Sequence, residues 1–133
     1  MKLLLIISAV IEAAIGASLL VLPAFTASSL LGVPLDTPPG LVAGRIAGAA
    51  LGALGIACWN ARNGEREGPG KGVVAAMLFY NFAAVMVLVY AGIGLELRGP
   101  LLWPTIVLHF VLAAWCLVSL WFTQRRSVDP TNS

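Results

Sequence analysis

Charge is what this chain has least of. Of its 133 residues only 11% are Asp, Glu, Lys or Arg, against roughly 25% in a soluble domain, which argues against a water-soluble monomer. Histidine occurs once and cysteine twice. Cys58 and Cys116 lie in separate apolar segments without CxxC spacing, so they read as small packing residues and not as a redox pair. One histidine falls short of a three- or four-ligand metal set, and no metal or other cofactor is expected. HExxH, a P-loop, GxGxxG and a Ser-His-Asp arrangement with a nucleophile are all missing, which leaves protease, phosphoryl-transfer and hydride chemistry without support. The formal charge of +2 comes with no basic stripe interleaved with aromatics, so nucleic acid is not a partner.

What the chain has instead is long apolar runs. Hydrophobic residues make up 59%, mean hydropathy is +0.94, and the runs are about 20 residues long, enough to cross roughly 30 Å of hydrocarbon. Four segments are predicted as helices, at about 3–22, 37–61, 72–95 and 100–122. Pro23 ends the first. Thr37 is a natural N-cap for the second, with Pro38 and Pro39 in its first turn, where proline is tolerated. Pro104 falls in the first turn of the fourth. The expected fold class is all-α: a single integral membrane domain over 1–133, built as a bundle of four transmembrane helices. Met1-Lys2 and Leu3–Val10 have the look of a signal peptide, but Glu12 interrupts the apolar core and the run continues to Leu22. A retained first helix is the expectation.

Basic residues set the orientation. Lys2, Arg62, Arg66, Lys71, Arg125 and Arg126 fall on one side of a four-pass chain, and only Arg45 and Arg98 toward the other. The positive-inside rule then makes both termini cytoplasmic, in what is expected to be a bacterial cytoplasmic membrane. Trp59 and Trp121 mark the inner interface, Trp103 and Tyr90 the outer. The inner loop, residues 63–70, is polar and turn-rich, a solvated hinge. The outer loop from Pro23 to Pro39 is longer and partly apolar, and residues 24–31 fit a short interfacial helix. A lid over the outer mouth and a plain connector are both compatible with it. Gly44, Gly48 and Gly52, with Gly55 beyond, form a ridge for close helix packing. Packing within the chain is the first reading and a homo-oligomer the second.

Four polar side chains interrupt the apolar segments. A charged group at a helix centre costs about 2.5–3.5 kcal/mol on insertion scales, so Glu12 needs a partner. Arg45, Asn81 and His109 come one from each other segment. Glu12, Asn81 and His109 lie about nine or ten residues into their helices, near the midplane. Arg45 is about 12 Å deep at 1.5 Å per residue, able to snorkel outward or reach toward Glu12. Ser8, Glu12 and Gly16 share a face, as do Thr105, His109, Ala113 and Cys116. Tyr80 adjoins Asn81 and can add a hydroxyl. A structural Glu12–Arg45 pair and an interhelical Asn81 are the plain alternatives.

Two resemblances follow from these residues. Gly16 with Pro23, then Arg45-Ile46-Ala47-Gly48-Ala49-Ala50 through Trp59-Asn60-Ala61-Arg62, resembles the small four-helix DoxX-like membrane proteins. That resemblance implies a four-helix fold and a lipophilic partner such as a quinone, and it assigns no catalytic residue. Ala9 to Leu20, with Glu12 ahead of Gly16, is similar to the first helix of small multidrug-resistance transporters, whose carboxylate binds protons and cationic drugs in competition. Only Glu12 carries across. The proline-containing outer loop, Arg45 and His109 depart from that pattern.

The first functional expectation is a site for a small lipophilic molecule inside the bundle, with acid–base isomerisation or cyclisation as its chemistry. Glu12 and His109 would exchange protons with the substrate, and Arg45, Asn81, Tyr80 and Thr105 would hold it. The alternatives are a dimeric proton-coupled transporter with Glu12 as the coupling group, and a non-enzymatic membrane subunit with a structural Glu12–Arg45 pair. The expected partners are the lipid bilayer, a lipophilic small molecule or quinone, and a second copy of the chain if it forms a homo-oligomer.

Overall fold

The computed structural model describes residues 1–64 and 69–127, and every regular element among them is helical. The order is α1 (Lys2–Val21), α2 (Pro23–Leu31), α3 (Pro38–Ala61), α4 (Pro69–Ile93) and α5 (Leu102–Ser127). All except α2 are long and apolar enough to cross a membrane. The hinge expected at 65–68, with Arg66, lies outside the described residues, as does the side chain of Arg126.

Local chemistry accounts for most of the boundaries. Pro23 supplies no N–H and opens α2, so the chain turns after Val21. Thr37 caps α3, its Oγ1 accepting from the Gly40 N–H at 3.2 Å. The α4 helix starts three residues before the expected Gly72 and stops at Ile93, where the Gly94 and Leu95 N–H groups both turn back to the Tyr90 carbonyl. The α5 helix runs on past Phe122, with Thr123 buried and donating to the Ser119 carbonyl at 2.9 Å and Gln124 and Arg125 exposed.

The bundle is two hairpins side by side. Packing is closest between α1 and α3 and between α4 and α5, while the α3–α4 and α1–α5 seams are sparser. Gly16 and Gly48 explain the first pair. A Cβ on Gly48 would stand 2.7 Å from the Gly16 carbonyl oxygen, and one on Gly16 would stand 2.8 Å from that of Gly48. The helices therefore touch backbone to backbone, as small residues permit.

Two apolar clusters stack along the bundle. The larger joins Leu4, Leu5, Cys58, Val74, Met77, Leu112 and others at the end where Lys2, Arg62 and Arg125 emerge. The smaller joins Leu88, Leu102 and Ile106 with Leu30 and Leu31 of α2 at the opposite end. Helix α2 is fastened to both hairpins. Ser18 Oγ meets Thr26 Oγ1 at 2.7 Å, and the Leu101 N–H donates to the Ser29 carbonyl at 3.0 Å.

Gly99 makes the second fastening possible. A Cβ there would lie 2.1 Å from the Leu30 carbonyl oxygen, so Gly99→Ala must lift α2 off the α4–α5 loop. The expected result is a loss of about 1–2 kcal/mol, with amide exchange of residues 26–32 accelerated and that of α4 unchanged. Uniform acceleration through the chain would show instead that α2 is not a separately seated element.

Candidate functional site

Between the two apolar clusters lies a polar layer. Glu12 comes from the middle of α1, Tyr80 and Asn81 from the middle of α4, and His109 from the third turn of α5. Glu12 is 2% exposed, Asn81 0% and His109 8%. Asn81 lies further into its helix than counting from Gly72 gives, because α4 begins at Pro69, and His109 less far in than counting from Pro100 gives, because α5 begins at Leu102.

Asn81 and His109 form a defined pair. The Asn81 Nδ2 donates to the Met77 carbonyl at 2.7 Å, one turn back in α4. That leaves Oδ1 as the acceptor facing α5, and His109 Nδ1 lies 2.8 Å from it. Nδ1 therefore carries the hydrogen, and in the neutral ring Nε2 is the basic nitrogen. Asn81 thus orients His109, and its amide is committed before any ligand arrives. Tyr80 packs against the same ring edge-on, with centroids 5.6 Å apart and planes at 82°.

The Tyr80 hydroxyl in turn approaches the Glu12 carboxyl. A single helix thus serves both sides of the layer. Asn81 faces α5, Tyr80 faces α1, and the 100° between adjacent helical residues makes that possible. The layer ties the α1–α3 hairpin to the α4–α5 hairpin where their direct packing is sparse.

Among the described residues, two atoms in this layer have no hydrogen-bond partner. Glu12 Oε1 and Ser8 Oγ are buried and make no hydrogen bond. They sit four residues apart on α1, hence on one face and one turn apart. Ser8, 0% exposed, appears in the sequence as one member of a small-residue stripe. Serine in a helix usually bonds its own backbone four residues back, so the sequence carries no sign that this hydroxyl is free. Leaving such atoms unpaired costs about 1–3 kcal/mol each. Gly55 of α3 lies directly behind, its Cβ position 3.5 Å from Glu12 Cβ, so α3 offers no side chain to satisfy them.

Arg45 does not join the layer. Its Nε donates to the Leu20 carbonyl at 3.3 Å and the side chain is exposed. Leu20 is among the last residues of α1, whose final carbonyls lack helical partners, so Arg45 caps a helix end two turns from Glu12. Thr105 is half-buried, one turn before His109, and makes no side-chain hydrogen bond among the described residues. The structure thus brings together Glu12, Tyr80, Asn81 and His109, adds Ser8, and leaves Arg45 and Thr105 apart. No three of His, Cys, Asp and Glu among the described residues group as metal ligands. Both cysteines are fully buried and free within the larger apolar cluster.

The position of Arg45 has a measurable consequence. Breaking a buried ion pair costs about 3–5 kcal/mol, whereas losing one exposed side-chain-to-carbonyl bond costs about 1 kcal/mol or less. Arg45→Gln is expected to give the smaller value in thermal unfolding. A loss in the larger range would mean that Arg45 does reach Glu12.

Comparison with family models, with characterised proteins and with solved structures finds no match for this chain. The reading of the site therefore rests on its own geometry.

Proposed function

We propose that this chain is an integral membrane protein that binds a small lipophilic molecule in the polar layer, with acid–base isomerisation or cyclisation as the chemistry it carries out there. The observation that supports this most is the pair of buried atoms without a partner among the described residues, Glu12 Oε1 and Ser8 Oγ, linked through Tyr80 to an oriented histidine. A hydroxyl or carbonyl head on the ligand satisfies both. The Ser8 hydroxyl donates or accepts, and Glu12 accepts when ionised and can also donate when protonated. Glu12 and His109 then serve as the proton-exchanging pair, Tyr80 steadies the carboxyl, and Asn81 fixes the imidazole. A quinone is one molecule of this kind.

The apolar clusters on either side leave the sparser seams between the hairpins as the route in, which favours a ligand that arrives from the bilayer. Both termini cytoplasmic, in a bacterial cytoplasmic membrane, is the orientation the basic residues favour. Membership of the DoxX-like group belongs to the same proposal and rests on the residues that resemble it.

A second reading gains from Arg45 lying elsewhere. With Arg45 bonded to the Leu20 carbonyl and away from Glu12, a lipophilic cation could occupy the site, as in a proton-coupled transporter. Uptake driven by a pH gradient in proteoliposomes, abolished in Glu12→Gln, would support that reading over catalysis.

The direct test is native mass spectrometry of detergent-purified protein, with extraction of bound small molecules, on wild type and Glu12→Gln. A discrete lipophilic species retained by wild type and lost from the variant is expected. Identical lipid-only spectra from both would remove the ligand site.

A further inference from the structure

A concavity lies at the opposite end of the larger apolar cluster from the polar layer. It is an open pocket of about 430 Å³ between the first turn of α1, the C-terminus of α3 and the start of α4. Leu5 and Ala61 are apolar walls, and Lys2, Arg62, Asn63 and Gly70 are among its polar or backbone lining. Both charged groups among the described lining residues are cations, and no carboxylate is among them.

Arg62 is held in place. Its guanidinium lies 3.9 Å from the centroid of the Trp59 ring, and one terminal nitrogen donates to the Trp59 carbonyl. A guanidinium has five N–H donors in a planar fork, so this anchoring leaves others for an anion. Lys2 is exposed and adds a mobile ammonium. Asn63 brings an amide, and Gly70, in the first turn of α4, lets its backbone N–H come close without a side chain in the way, whereas the Gly64 N–H is already donated to the Ala61 carbonyl. Neither α1 nor α4 has an acidic residue in its first turn, so their free N–H groups add to the positive potential. Arg125 over Trp121, at 4.8 Å, repeats the cation–aromatic pairing on α5, and such residues belong at headgroup level.

We propose that this pocket binds a phosphate group, that of an anionic phospholipid headgroup, with Lys2 and Arg62 as the recognising cations and Leu5 and Ala61 against the lipid's apolar part. The proposal is independent of any ligand at Glu12. A basic pocket between helices is the expected form of such a site, and each cation near an anionic surface is worth about fivefold in affinity.

The test is a thermal-shift titration of the whole protein in neutral detergent. The probes are short-chain phosphatidylglycerol, phosphatidylcholine of the same chain length, and inorganic phosphate. Phosphatidylglycerol is expected to raise Tm saturably and phosphatidylcholine not. Half-saturation should weaken about fivefold in Lys2→Gln and again in Lys2→Gln/Arg62→Gln, while Arg125→Gln and Glu12→Gln leave it unchanged. Lys2→Gln, at an exposed position, keeps the test valid should loss of the Arg62–Trp59 stack harm folding. Inorganic phosphate matching phosphatidylglycerol at equal concentration would support the phosphate site and assign it to a soluble anion. Equal shifts from both lipids, or the same weakening in Arg125→Gln as in the pocket variants, would overturn it.

Discussion

Gly48→Val is expected to unseat α1 from α3 and to be the most damaging single substitution in the helix interior. The added Cβ would stand 2.7 Å from the Gly16 carbonyl oxygen, 2.8 Å from the Leu20 nitrogen and 3.0 Å from Leu19 Cβ. Two of these three are backbone atoms, which cannot rotate aside as a side chain can. The helices must separate, and the contacts along the whole α1–α3 interface go with them. Overpacking usually costs about 1–3 kcal/mol and sometimes more, and the upper end or beyond applies here. Thermal or denaturant unfolding followed by circular dichroism measures the loss. Gly52→Ala and Gly72→Ala are the controls, because a Cβ at either position meets nothing within 4 Å. Both should be neutral or raise stability by about 0.5–1 kcal/mol, the ordinary gain from removing a helical glycine. If Gly52→Ala were as harmful as Gly48→Val, close backbone contact would not be the reason for the ridge.

The same ridge shows what the sequence can and cannot convey. Four-residue spacing of Gly44, Gly48 and Gly52 announces a close-packing face, since spacing is a property of one helix. Which helix lies against it depends on a second face elsewhere, and Gly16 becomes its counterpart only once the two are docked. The four spans were readable from run length alone. Rise per residue is constant, so the positions of Glu12, Asn81 and His109 along their helices were readable only as closely as the helix starts, and those of α4 and α5 differ from the run ends by three and two residues. Arg45 was not, because a side chain of that length at about 12 Å depth can point either way. The direction was settled by a vacant carbonyl at Leu20, and that vacancy exists because α1 stops where Pro23 begins a new helix. Tyr80 and Asn81 face different neighbours, a matter of how α4 is rotated, which no local pattern fixes. Ser8 was visible as a polar residue on the right face, but not as one without a partner.

That missing partner leads to the strongest functional expectation. A residue retained for stability should destabilise the protein when lost, yet Glu12→Leu is expected to stabilise it. Glu12 is buried, its Oε1 has no partner among the described residues and Arg45 bonds to Leu20 instead, so an apolar side chain of similar size removes a penalty of about 1–3 kcal/mol. The Tyr80 hydroxyl loses the carboxyl it approaches, which offsets part of the gain, and Glu12→Leu/Tyr80→Phe should recover it. The Asn81–His109 bond does not involve Glu12 and should persist in both variants. Retention of the lipophilic species should fall by about fivefold or more, since a buried polar ligand atom left without its partner costs about 1–3 kcal/mol. A gain in stability paired with loss of the ligand is the pattern of a site kept at the expense of the fold. A loss of several kcal/mol in Glu12→Leu, with ligand retention unchanged, would make the carboxyl a structural group and Ser8 Oγ an isolated defect. The two outcomes differ in the sign of the stability change as well as in binding, so unfolding and mass spectra taken on one preparation separate them.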